Sequence, residues 1–139
     1  MSLRKWILIG VLVCGIAGVN FALNPHVAPW SDDVLGDNEV SAAELSQALD
    51  EWLMLDARSE GDFIQDHIPG ALLLNEDDWE ALLPEVFDAW APGQRVVVYC
   101  GSEACQASEQ VAVRLREEVG FDDVMVLKGG WDAWLELGD

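Results

Sequence analysis

Basic residues are scarce in this chain of 139 residues. Seven lysines and arginines stand against 26 acidic residues, for a formal net charge of −19. Arg4 and Lys5 lie at the front, so the rest of the chain sets only Arg58, Arg95, Arg114, Arg116 and Lys128 against all 26 carboxylates, a balance of −21. A field of that sign repels phosphate backbones and anionic headgroups, which excludes nucleic-acid binding. It keeps the domain soluble and offers a surface to a basic partner protein. Histidine is rarer still: His26 and His67 are the only two, and neither lies near a cysteine in sequence. No Cys–His dyad or mixed cysteine–histidine metal site is therefore written locally, and no cofactor or metal is expected. Three cysteines are too few for a fold built on disulfides. Internal repeats and low-complexity blocks are absent.

One long uncharged apolar run is present, from Trp6 to Leu23, directly after Arg4 and Lys5. Eighteen residues at about 1.5 Å each nearly cross a hydrocarbon core, which needs about 20. The apolar region of a cleaved signal is shorter, roughly 7–15 residues, and Gly15 and Ala17 make a poor processing site. Residues 1–23 are therefore expected to be a retained membrane anchor, with a cleaved signal as the alternative. The leading positive charges favour a cytoplasmic N-terminus and send the remainder outward, to the periplasmic side of a bacterial inner membrane. Residues 24–38 read as a linker rich in turn formers, and 39–139 as the folded domain.

That domain alternates helical and strand patterns. Ser41 with Glu44 three positions on forms a capping box before an apolar face of Leu45, Ala48 and Leu49. Trp52–Arg58 is a short apolar burst ending in charge, as a buried parallel strand does. A short helix over 59–67, the turn Ile68-Pro69-Gly70 and a strand over 71–74 follow. The acidic stretch 76–90 carries Pro84 and reads as two short helical pieces. Arg95–Cys100 is the strongest strand pattern. Residues 104–120 form a helix with Val111, Leu115 and Val119 in one stripe and Gly120 as terminator. A strand and turn over 122–130 and a short last helix complete the chain. Strands separated by helices imply crossover connections, so the fold class is α/β: a three-layer domain around a parallel sheet of four to five strands.

In such sheets reactive groups gather at the carboxyl ends of strands. Cys100 follows Val96, Val97, Val98 and Tyr99 and precedes the long helix, where a thiolate is stabilised by the helix N-terminus. Gly101 and Ser102 are small enough for backbone amides to turn inward as an anion cup. Three readings of Cys100 stand open: a nucleophile, one half of a redox pair with Cys105, or a buried thiol. Cys105, five positions on, is near enough in sequence to reach disulfide distance, or else serves as a small apolar residue against the helix.

Leu55-Asp56-Ala57-Arg58, Phe63, His67-Ile68-Pro69-Gly70-Ala71, Val97-Val98-Tyr99-Cys100 and Val126-Leu127-Lys128-Gly129-Gly130-Trp131 with Trp134, in that order, resemble a rhodanese domain. The resemblance spans Glu39 to Gly138. It implies that Cys100 attacks a sulfane-sulfur donor, carries the sulfur as a persulfide and passes it to a thiol acceptor. It implies too that the loop Gly101, Ser102, Glu103 and Ala104 forms the substrate cradle, with Asp56, Arg58 and His67 as structural support. Two departures bear on activity. Rhodanese loops carry a basic residue where this chain has Cys105, and this loop holds Glu103 and runs about two residues longer. A dianion such as thiosulfate meets an opposing charge there, at a cost of roughly 1–4 kcal/mol. Cys105 instead offers to resolve a Cys100 persulfide or sulfenate as a disulfide. The expected function is thus sulfur transfer or thiol redox chemistry at Cys100, with a catalytically silent acidic interaction module as the alternative.

Overall fold

The computed structural model of the chain describes residues 35–102 and 105–138. The expected anchor (1–23) and most of the linker fall outside them; among the described residues no helix is long and apolar enough to cross a membrane. The chain enters the fold as β1 (Glu39–Val40) and α1 (Ala42–Gln47), the latter capped by Ser41, whose Oγ accepts the Glu44 amide at 3.2 Å. After a single 3-10 turn come β2 (Trp52–Asp56), α2 (Glu60–Gln65), β3 (Leu72–Leu73), α3 (Trp79–Ala89) and β4 (Arg95–Tyr99). The last elements are α4 (Ala107–Arg114), which widens into a π turn over Leu115–Val119, then β5 (Val124–Leu127) and α5 (Gly130–Glu136). The five strands pair in parallel in the order β1-β5-β4-β2-β3.

Side chains alternate across this sheet and sort the core into two layers. Leu53 and Leu55 of β2, with Val96 and Val98 of β4, face one side, against Trp79 and Val86 of α3 and Val111, Ala112 and Leu115 of α4. Trp52, Met54, Val97 and Tyr99 face the other, against Ala42 and Leu45 of α1 and the partly buried Trp131 and Trp134 of α5. Both faces of β2 are covered, which explains its unbroken apolar pattern. Each fully buried valine or leucine contributes roughly 1.5–3 kcal/mol of transfer free energy. Cys100 extends the Val96–Val98 row by one step, so the alternation itself turns its side chain into the α3–α4 layer.

Three expectations about elements need correction. The acidic stretch is one helix, α3, running through Pro84 rather than two pieces. Pro84 deprives the Glu80 carbonyl of its amide partner, but both residues are exposed and water can take that place, while Trp79, Leu82, Leu83 and Val86 hold the helix on the core. The long helix begins at Ala107, not 104, because the Cys105 amide bonds back to the Ser102 carbonyl at 3.1 Å instead of entering the helical ladder. β1 was not expected at all: its two residues form a strand only because β5 offers its edge, with the Val126 and Lys128 amides donating to the Asn38 and Val40 carbonyls.

Candidate active site

The parallel register brings Asp56 beside Tyr99 and ends β2, β4 and β5 together, so the loops that follow them converge at one edge. The loop after β4 carries Cys100, Gly101 and Ser102; Glu103 and Ala104 lie outside the described residues. Cys100 and Cys105 are joined as a disulfide, with their Cα atoms 6.2 Å apart, inside the range such a bond spans. Cys100 is 1% exposed. The buried Ser108, on the first turn of α4, directs its hydroxyl at Cys100 Sγ from 3.6 Å. The two sulfurs therefore have different surroundings. Cys105 is partly exposed and lines an open cleft of about 660 Å³; Cys100 sits behind it and does not.

Backbone hydrogen bonds hold the loop from the α5 side. The Trp131 amide donates to the Cys100 carbonyl at 2.7 Å and the Asp132 amide to the Gly101 carbonyl at 3.0 Å. This clamp needs glycine at 130: its φ is +58°, and a Cβ there would collide with the Cys100 carbonyl oxygen. Of the expected cradle, Gly101 and Ser102 line the cleft, and the Cys105 amide beyond it donates to the Ser102 carbonyl.

Asp56 and Arg58 form the floor of this edge. Asp56 is fully buried, and Arg58 reaches it through Nε at 3.0 and 3.1 Å and Nη2 at 2.7 Å. Nη2 also donates to the Asp66 carbonyl, at 2.7 Å, and the guanidinium lies over the Trp131 ring at 4.6 Å. Burial works against the Arg58 charge, but Asp56 outweighs it and the pKa is raised. Asn75, which sequence reasoning passed over, ties two loops here: its amide donates to the Arg58 carbonyl at 3.2 Å and its carbonyl accepts the Asp78 amide at 3.0 Å. His67 stands apart from the cleft lining. Its Nδ1 lies 2.8 Å from the Phe63 carbonyl and its ring stacks on Phe63 with centroids 4.0 Å apart. Trp131 divides its surface between the core and the cleft.

The family model of the rhodanese-like domain matches residues 41–137, the span that carries Cys100, the loop after it and α5. The chain belongs to the rhodanese-like family. Solved structures repeat the architecture. The rhodanese-like domain superposes on the BH2092 protein of Bacillus halodurans with a TM-score of 0.62 at 21% identity, covering 72% of each chain. It superposes on the Alr3790 protein of Anabaena sp. with a TM-score of 0.59 at 26% identity, covering 71% of this chain and 76% of that one. For a rhodanese-like domain protein of Staphylococcus aureus the values are 0.55 and 23%, over 70% and 90%. The five-stranded parallel sheet is thus the rhodanese fold, and the family is of the sulfurtransferase type.

Sequence reasoning missed Ser108, Asn75 and the acidic rim of the cleft, formed by Asp62, Asp66 and Asp132. Ser108 had a usable signal, since it lies one turn before the Val111–Leu115 stripe of α4 and so faces the same layer as Cys100. The rim was only half written: Asp62 and Asp66 lie four residues apart at α2, but Asp132 joins them from α5, far along the chain.

Proposed function

We propose that this rhodanese-like domain takes sulfane sulfur onto Cys100 and releases it reductively with Cys105 as the resolving thiol. The Cys100 thiolate attacks the sulfane sulfur of a donor, and the donor's remaining group leaves with the electron pair. Cys100 then carries the sulfur as a persulfide, held at the N-terminus of α4 beside the Ser108 hydroxyl. The Cys105 thiolate attacks Cys100 Sγ, the S–S bond between the two cysteines forms, and the outer sulfur departs as hydrosulfide. The observation that carries this reading is the placement of Cys105 within bonding reach of the buried Cys100 sulfur, their Cα atoms 6.2 Å apart, which is the geometry that last step needs. The run of apolar residues before the domain supports a further proposal, that the chemistry takes place on an extracytoplasmic domain tethered to the membrane, where a disulfide persists.

The test uses the full chain, reduced and freed of reductant, then exposed to inorganic polysulfide. One hydrosulfide per chain and a mass lower by two hydrogens are expected. Cys105→Ser should gain one sulfur atom and release no sulfide, and Cys100→Ser should do neither. Reduced thiols that never take up sulfur overturn the reading. The acidic surface would then be the functional one, as a docking face for a basic protein.

A further inference from the structure

A disulfide left by each turnover has to be reopened, and the two sulfurs are not equally reachable. Cys105 lines the cleft, whereas Cys100 is 1% exposed behind it. The cleft is also asymmetric in charge. Asp62, Asp66 and Asp132 stand in its wall, and Arg58, the one basic residue among the described residues that line it, is occupied by the buried Asp56 carboxylate and the Asp66 carbonyl. A negatively charged reductant meets net repulsion in this cleft, and a positively charged one is drawn in.

We propose that the oxidised site is opened by an external thiol of positive or neutral charge that attacks Cys105 Sγ, with Cys100 as the leaving thiolate. This rests on the reading of Cys105 as resolving thiol. The incoming thiolate forms a mixed disulfide with Cys105, the Cys100–Cys105 bond breaks, and its electron pair goes to Cys100 Sγ. There it meets the Ser108 hydroxyl at 3.6 Å and the start of α4, groups that favour a thiolate. A second equivalent of the same thiol attacks its own sulfur in the mixed disulfide and frees Cys105. Two thiols are oxidised to one small disulfide, and the pair returns to the dithiol. The same rim makes the preferred reductants of the cleft thiols that carry an amine or no charge.

The experiment follows reduction of the oxidised full chain by cysteamine, mercaptoethanol and mercaptoethanesulfonate, with rates expressed per thiolate. Cysteamine should exceed mercaptoethanesulfonate by about tenfold or more at low salt, and the ratio should shrink towards one in about 1 M salt. Asp66→Asn with Asp132→Asn should shrink it at low salt too. In the earliest acid-quenched samples, alkylation and fragment masses should place the cysteamine adduct on Cys105 and the free thiol on Cys100. Equal rates, a faster sulfonate, or an adduct on Cys100 overturn the proposal, as does failure of mild oxidation to close the disulfide. The two readings fail separately. A protein that shows this charge preference but takes up no sulfur sinks the reductive-release reading alone. One that loads and releases sulfur but reduces without preference sinks this one alone.

Discussion

Ser108 Oγ approaches Cys100 Sγ to 3.6 Å inside the core, where the two residues are 4% and 1% exposed. Water does not compete for that hydroxyl, so once the disulfide is opened its hydrogen bond falls on the Cys100 thiolate. A hydrogen bond to a charged group contributes about 1.5–3 kcal/mol, and one pKa unit corresponds to about 1.4 kcal/mol. Ser108→Ala should therefore move the pH profile of Cys100 alkylation in the reduced chain upward by about one to two units. Cys105 alkylation, read on the same fragments, should hold its profile. An unmoved Cys100 profile would leave Ser108 a packing residue only.

The clamp on the loop can be separated from ordinary glycine strain. Gly93 and Gly130 both have positive φ, +82° and +58°, but a Cβ at Gly93 meets open space while one at Gly130 meets the Cys100 carbonyl and, at 3.2 Å, the Ser102 nitrogen. Gly93→Ala should cost only the left-handed backbone term, about 1–2 kcal/mol. Gly130→Ala carries that term and also pushes the loop off the Trp131 and Asp132 amides, each such bond contributing about 0.5–1.5 kcal/mol. Urea unfolding of the two variants should show Gly130→Ala the less stable by at least about 1 kcal/mol, and its disulfide should be reduced faster by mercaptoethanol. Equal losses would mean that the α5 amides do not hold the loop.

What was legible in the sequence follows the range of the forces involved. β4 could be read because Val96, Val97 and Val98 carry their preference locally, and Cys100 could be placed because it extends the same alternation. β1 could not, since two residues have no strand preference apart from the β5 edge that pairs with them. Pro84 misled for the converse reason: a local breaker was overruled by Trp79 and Val86 packing on the core. At the site, Asp56 and Arg58 were legible as structural support through the Leu55-Asp56-Ala57-Arg58 motif, whose two charged residues pair within one short segment. Neighbours brought from distant positions, Ser108 under Cys100 and Asp132 beside the Asp62–Asp66 pair at α2, are set by the crossover of helices, which residue spacing does not carry.

Tyr99 supplies a spectroscopic reading of the same sheet end, because it is the only tyrosine in the chain. Its hydroxyl accepts the Ile68 amide at 3.2 Å. Burial drives its pKa well above the usual 10.0; the Ile68 amide opposes the shift, the Asp56 carboxylate adds to it, and Arg58 opposes it weakly. A group whose folded pKa is raised contributes stability in full below its unfolded value, and that stability is lost as pH climbs beyond it. Tyr99 should therefore leave stability flat with pH up to about 10 and erode it above that point. In absorbance at 295 nm, phenolate should not appear on the folded protein near pH 10 but together with loss of the tryptophan fluorescence signature of the fold. Tyr99→Phe should flatten the alkaline decline. At neutral pH it should cost about 1–3 kcal/mol, since the Ile68 amide is left without its acceptor in the core. A phenolate that titrates near pH 10 while the fold persists would show that the hydroxyl at the end of β4 reaches water, and the sealed setting assigned to neighbouring Cys100 would fall with it.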